Sequence, residues 1–457
     1  MKKRFNKLQW GLLFTVSLSA GLQSCEKFLD LKPTNALLAE NAIYDAKTAK
    51  ALVNSAYSRF KNYNLGSAIN LAVLPGDNVF FAGSQSQNIE LDNRAFTVTN
   101  SAIVSAYSEN YALINVANWA IAEIPKVQDA TFLSGEQDKL VGEAYFFRAI
   151  AYFNLVRSWG GVQLQLNPTK DLTTLGAIKR SSVEDSYKQV LADLDKAEAL
   201  LPADDAVTRN RVQRATVKAI RAKLYLYTKQ FDLAEKEADA VIQLPKYSLV
   251  ENYAQFFTLP FLSSESIFEL SATTNNPGMS GTIWFPASGT PRGSYEFRPT
   301  NQIVNLLNDP KKGGARKNLL ATRGADVYVN IYNTASPNLN PAFVIRIADI
   351  YLIRAEARLR KSNPNIAGAI ADLNRIRGRA EADLYPTTAV HTEALLQAIW
   401  EERRLEFPFE ADRWYDLVRT EQAEKLLGVS RNFWLFPIPQ ADVLSDPDLN
   451  GINNPGY

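Results

Sequence analysis

The chain has 457 residues, with one cysteine (Cys25), one histidine (His391), 21% charged residues and a formal net charge of +2. A single Cys and a single His exclude a Cys-rich or multi-His zinc site and a disulfide framework, leaving carboxylates, hydroxyls and lysines for any catalysis. Four positive charges (Lys2, Lys3, Arg4 and Lys7) fall in residues 1–24, which hold no acid, so the remainder carries −2 and offers no basic stripe for nucleic acid.

Met1 to Lys7 is a basic stretch, Leu8 to Ala20 is largely apolar, and Leu22-Gln23-Ser24-Cys25 follows. This is the pattern of a secretory signal whose apolar part is too short to span a bilayer stably. The lone Cys stands where a lipoprotein cleavage box places it, with Leu three residues before it and the small Ser one before. Cys25 is therefore the expected lipidation site and the first residue of the mature chain. Acyl chains there would tether the rest to a membrane.

Downstream, apolar residues recur at the spacing of one-sided helices over Ala46 to Tyr63, Ile103 to Ile124, Glu136 to Ser158, Ser182 to Leu201 and Val212 to Thr228. The same spacing marks Leu233 to Gln243, Pro341 to Arg360, Ile366 to Ala380 and Glu393 to Glu406. Within Ala222 to Ala234, the order Ala222, Tyr225, Phe231, Ala234 follows the tetratricopeptide (TPR) pattern, with Ala238 continuing the second helix and Pro245 ending it. A stretched copy occupies Ala355 to Arg377. The fold class expected is thus mainly α, a TPR-like scaffold of helical hairpins with a loop-rich insertion carrying the ligand site.

Between Pro245 and Pro341 the periodicity fades and Pro and Gly punctuate the chain, the mark of a functional insertion more than of a connector. Ser266 to Leu270 and Val327 to Tyr332 are the short runs suited to small strands. Leu74 to Thr99 has the same loop-rich character. The expected organisation is a signal over 1–24, a helical part over 25–244, a loop-rich ligand-binding part over 245–340 and a second helical part over 341–457.

Trp284, in Gly281-Thr282-Ile283-Trp284-Phe285-Pro286, is the tryptophan whose setting suggests a binding platform, with Tyr295, Phe297, Tyr328 and Tyr332 nearby in sequence. Flat aromatic faces on loops suit the apolar C–H face of a sugar ring, while Asp77, Asn78, Asn88, Asp92, Asn93 and Arg94 could supply a polar rim. Paired carboxylates at Asp204-Asp205 and Glu401-Glu402 are better explained by a turn and by ion pairing on an arginine-rich helix than by hydrolysis. No phosphate loop, nucleophile elbow or metal-ligand cluster is present in the sequence, and Asp446 to Gly451 matches only the first half of a calcium loop. No cofactor and no metal are therefore expected.

Three stretches together resemble the SusD/RagB family of outer-membrane lipoproteins of Bacteroidota. They are the start of the mature chain, Cys25-Glu26-Lys27-Phe28-Leu29-Asp30; the segment Trp400-Glu401-Glu402-Arg403-Arg404 through Glu406-Phe407, Glu410 and Arg413-Trp414-Tyr415-Asp416 to Arg419; and the tail, Leu435-Phe436-Pro437-Ile438-Pro439 with Asn453-Asn454-Pro455-Gly456-Tyr457. Minor supports are Leu74 to Asp77, Arg148 to Phe153 and Arg346 to Ala357. One departure is Gln163-Leu164 after Trp159-Gly160-Gly161-Val162, where the family tends to have Pro-Leu.

The resemblance implies a non-catalytic surface protein that captures oligosaccharides, or in some members peptides, and acts as a lid over a SusC-like TonB-dependent transporter. It implies that the Arg/Glu-rich stretch and the tail are buried structural networks. It also makes Asp77 a candidate near the ligand, and Glu26-Lys27 resembles the charged segment that sends such lipoproteins to the cell exterior. The residues alone leave a carboxylate-dependent glycoside hydrolase open, which would need two carboxyls about 5–10 Å apart.

Overall fold

The periodicity becomes fifteen α-helices and six short strands among the residues that the computed structural model describes, 42–457 apart from 171–177, 204–207, 280, 335–336, 389–390, 447 and 450–451. Cys25 and its leader, the Asp204-Asp205 pair and part of the Asp446 to Gly451 stretch lie outside them.

The first helices are α1 (Ala46–Leu65), α2 (Ser67–Val73), α3 (Ser86–Asp92), α4 (Ser101–Glu123), α5 (Glu136–Trp159), α6 (Val183–Leu200), α7 (Arg214–Tyr227) and α8 (Phe231–Ile242). Their starts follow from side-chain caps: Asp45 accepts from Thr48 N at 2.7 Å, Asn100 from Ala102 N at 3.0 Å and Ser182 from Asp185 N at 3.0 Å. Successive long helices pack in order, α1 on α4, α4 on α5, α5 on α6, α6 on α7 and α7 on α8. In the α7–α8 hairpin Ala222, Ala234 and Ala238 are fully buried, so small side chains let the helices close on one another as the TPR spacing requires.

The later helices are α9 (Asn301–Asn308), α10 (Ile347–Arg360), α11 (Ile366–Arg379), α12 (Thr392–Glu406), α13 (Arg413–Arg419), α14 (Ala423–Leu427) and α15 (Gln440–Ser445). The α10–α11 hairpin is braced by Arg354, 2.5 Å from Asp372, and stacks on α8 through Arg354, 2.6 Å from Asp239, and Arg358, 2.9 Å from Glu235. A second apolar cluster, with Leu352, Leu373, Leu395 and Ile399 at its centre, lies under α10, α11 and α12. The protein is mainly helical, with TPR-like hairpins.

The strands are β1 (Val79–Phe81), β2 (Ser266–Leu270), β3 (Phe297–Pro299), β4 (Leu320–Arg323), β5 (Asp326–Val329) and β6 (Ala342–Arg346), paired antiparallel as β1–β3, β2–β6 and β4–β5. One expectation is corrected here. Pro341 to Arg346 is not the first turn of a helix but the partner of β2, with Leu270 opposite Ala342 and Ser266 opposite Arg346. Extended backbone carries Arg346 to Glu265, 2.9 Å away. The two short runs singled out in the sequence do form strands, but with different partners: Ser266 to Leu270 with β6, and the second, as β5, with β4.

The tail closes the body by hydrogen bonds. Asn454 is buried and its Nδ2 donates to Trp159 O at 3.0 Å and Phe436 O at 2.7 Å, while Asn453 Oδ1 accepts from Ile438 N at 2.8 Å. At the expected turn, Gln163 Nε2 donates to Ile178 O at 2.5 Å and to Asp446 Oδ2 at 2.6 Å.

Candidate ligand-binding face

Two segments far apart in sequence, Leu74 to Thr99 and Gly281 to Pro299, meet in the β1–β3 ladder, where Val79 faces Pro299, Phe80 faces Arg298 and Phe81 faces Phe297. Side chains alternate along a strand, so the ladder has an inner and an outer surface. Val79, Phe81, Phe297 and Pro299 are buried, whereas Phe80 is 39% exposed and Arg298 half-buried opposite it.

Beneath the ladder lies an aromatic plug. Trp284 is fully buried, 5.2 Å from the Phe297 ring, 6.0 Å from Tyr332 in a stacked pair and 6.2 Å from Phe409. Its Nε1 finds no acceptor. Trp284 is therefore not a platform: the loop that carries it folds inward, and both faces of the indole are covered by neighbouring rings. The same correction applies to Phe297, 2% exposed and edge-on to Phe81 at 5.5 Å. The return of the loop is tight at Gly293, where a Cβ would stand 2.2 Å from Thr282 O and 2.4 Å from Phe285 O.

The expected polar rim also turns inward. Asp77 is held by Arg413 through two bonds of 2.6 and 2.9 Å, and Arg404 lies 3.1 Å from it. Burial alone would raise the Asp77 carboxyl, but these guanidiniums lower it, so its charge is spent inside the protein. Asn78 is buried, donating to Pro408 O at 3.2 Å and accepting from Arg404 Nε at 2.8 Å. Arg94 donates to Pro75 O at 2.9 Å and Gly76 O at 2.6 Å. Of the remaining rim, Asp92 accepts from Phe81 N at 3.1 Å, Asn88 is buried and Asn93 is exposed. Asp77 and Asn78 fix the base of β1 against α12 and α13, and Arg94 ties down the turn just before it.

What stays outside is a thin layer. Arg298 lies 4.1 Å above the Tyr295 ring, which is itself buried at 8% exposure and so is no open platform, and the Tyr295 hydroxyl donates to Val327 O at 2.7 Å, so the ring orients the guanidinium that covers it. Alongside, Arg323 clamps the exposed turn at Ala287 to Thr290 by donating to Ser288 O at 2.7 Å, Thr290 O at 3.2 Å and Pro291 O at 2.8 Å. Tyr328 is half-buried on the same flank, edge-on to Phe285 at 5.8 Å. Phe80, Arg298 and Arg323 carry no local signal in the sequence. Only the pairing of β1 with β3 reveals the first two, and only the bonds from β4 to the Ser288 to Pro291 turn reveal the third.

The Arg/Glu-rich stretch lies behind this face as a buried ion network. Glu402 pairs with Arg316 and, at 2.8 Å, with Arg377; Glu406 pairs with Arg379, with Arg316 at 2.9 Å and with Arg346 at 3.2 Å. Arg403 lies 2.5 Å from Asp349 and 2.9 Å from Asp416. Burial alone would raise Glu406, but Arg379, Arg316 and Arg346 hold it down at about 2. Burial likewise opposes ionisation of Asp416, yet Arg403, Arg419 and Lys223 lower it.

Two family models match, one described as the SusD family over residues 260–434 and one described as starch-binding associating with outer membrane over residues 27–226. SusD-like protein P38 of Formosa agariphila is 26% identical over 98% of this chain and 99% of its own length. The chain belongs to the SusD/RagB family. SusD-like protein P2 of the same organism is 24% identical over 94% of this chain and 96% of its own. Among solved structures, a laminarin-binding SusD-like protein superposes with a TM-score of 0.75 at 25% identity, covering 91% of this SusD-family chain and all of the other. The B. fragilis protein NanU superposes with a TM-score of 0.77 at 21% identity, covering 93% of this chain, a likeness of fold.

Proposed function

We propose that this SusD-family chain is a non-catalytic glycan-binding lipoprotein of the outer membrane, anchored through Cys25, facing the cell exterior and passing oligosaccharide to a SusC-like TonB-dependent transporter. The ligand face is the outer surface of the β1–β3 ladder, where Arg298 rests on Tyr295, with the Arg323-clamped turn and Tyr328. The observation that carries this reading is Phe80, 39% exposed on a braced strand and directly opposite Arg298, itself stacked on Tyr295. An apolar ring beside an oriented guanidinium offers a sugar both a surface for its C–H face and a donor for its hydroxyls.

The family description of starch binding at the outer membrane and the laminarin-binding relative support a glycan as ligand. Among the described residues no helix is long and apolar enough to cross a membrane, which accords with attachment by a lipid. Affinity electrophoresis on a panel of polysaccharides tests the reading. A retarded glycan should lose at least about tenfold in affinity with Phe80→Ala or Arg298→Ala. Release of shorter sugars from the glycan by the purified chain would overturn the non-catalytic part, and palmitate labelling that persists in Cys25→Ser would overturn the anchor.

A further inference from the structure

A cleft of about 260 Å³ opens on the side of α1, bordered by Tyr57, Ser58 and Lys61 of that helix, by Arg211 before α7, and by Ser271 and Asn276 after β2. None of its residues belongs to β1, β3 or the Gly281 to Pro299 loop, so the glycan-face reading neither supports nor requires it.

Lys61 is the unusual group. It is 3% exposed, and its Nζ donates to Ser271 O at 3.1 Å and Asn276 O at 2.7 Å. No carboxylate among the described residues answers its charge, and burial is the one influence acting on its ionisation. An ammonium has three donors, so two carbonyls leave one N–H and the whole positive charge uncompensated in a poorly solvated place.

The rest of the wall adds neither a second unpaired charge nor an answer to the first. The Arg211 charge is already met by Glu143, with Nε 3.2 Å from Oε1, and its guanidinium lies 4.0 Å over the Tyr57 ring. Among the described residues, no acidic side chain borders the cleft. Neutral hydrogen-bonding groups dominate instead: the side-chain amides of Asn210 and of Asn54, whose oxygen accepts from Arg211 at 2.7 Å and whose NH2 remains, the Ser58 hydroxyl, and Ser271 Oγ, which has no partner.

We propose that this cleft binds a small carboxylate at Lys61, and that its amides and hydroxyls select a carboxylate borne on a single sugar ring, as in a hexuronate. The volume lies below the roughly 300–1,000 Å³ of drug-sized pockets, which matches one ring and excludes a chain. The carboxylate neutralises the buried ammonium, and the ring hydroxyls meet Ser58, Ser271 and the asparagine amides.

Calorimetric titration of the chain with sodium glucuronate, glucose and alanyl-alanine tests this. Glucuronate should bind at least tenfold more tightly than either of the others. Lys61→Met should remove that binding without lowering the thermal midpoint, because methionine keeps the stem and deletes an unpaired buried charge. Ser58→Trp, at an exposed position of α1, should block the mouth and abolish binding on its own, which keeps the proposal testable if Lys61→Met does not fold. Absence of glucuronate binding, equal affinity for glucose, or glucuronate binding that survives both variants overturns the site. Preference for alanyl-alanine, with its loss in Lys61→Met, overturns the sugar assignment.

Discussion

The Arg/Glu-rich region around α12 and the loop region over Gly281 to Tyr332 solve the same problem, a long insertion fastened to a helical body, by opposite chemistry. Around α12 the fastening is ionic: Glu402, Glu406, Arg316 and Arg346 are each about fully buried and mutually paired. In the loops it is apolar, with Trp284, Phe297, Tyr332 and Phe409 packed ring on ring. Ion networks demand particular partners, whereas an aromatic plug tolerates varied loops above it. The first is thus suited to a fixed frame and the second to carrying the loops of the proposed ligand face.

The comparison breaks most severely at Glu406. Glu406→Ala leaves Arg316, Arg346 and Arg379 facing an empty site, and a loss at the upper end of about 3–5 kcal/mol, or failure to fold, is expected in denaturant titration. On the apolar side Trp284→Ala should cost about 3–4 kcal/mol through the cavity it leaves. Trp284→Phe should cost much less, since it also removes an indole N–H with no acceptor. A Trp284→Ala variant with an unchanged midpoint would mean that the ring is a surface platform after all.

Acid separates the two regions without mutation. Glu406 is held at about 2 against an ordinary 4.5, so its stabilisation is fully present above pH 4.5 and is lost as pH falls toward 2. That one group corresponds to about 3 kcal/mol, and Asp416 is shifted in the same direction. The thermal midpoint should therefore fall steadily below about pH 4.5, and a flat profile down to about pH 3 would show that the network is not stabilising. The smallest effect on stability belongs to Phe80→Ala, within about 0.5 kcal/mol, as for a surface residue, while glycan retardation is lost.

Much of the frame was legible in the sequence, because helices announce themselves within their own length. The predicted Glu136 to Ser158 became Glu136–Trp159, and Ile366 to Ala380 became Ile366–Arg379. The ionic character of Glu401-Glu402 was legible too, since arginines stand on the same helix. The ligand face was not. Three-residue strands such as β1 and β3 carry no periodicity, and their pairing spans nearly half of the chain, so Phe80 and Arg298 could not be brought together from sequence. Trp284 misled for a related reason: Gly and Pro around it signal a loop, but not whether the loop turns outward or folds over its own aromatics.

The β1–β3 ladder has one more consequence. One of its strands lies within the stretch matched by the starch-binding family model and the other within the stretch matched by the SusD model. On the ligand face proposed above, ligand preference would therefore be written in two separated passages of the gene that must agree. Grafting the Leu74 to Thr99 segment of a relative without its Gly281 to Pro299 segment places a foreign strand against an unmatched neighbour. On that proposal, specificity at this face changes only when both segments change together.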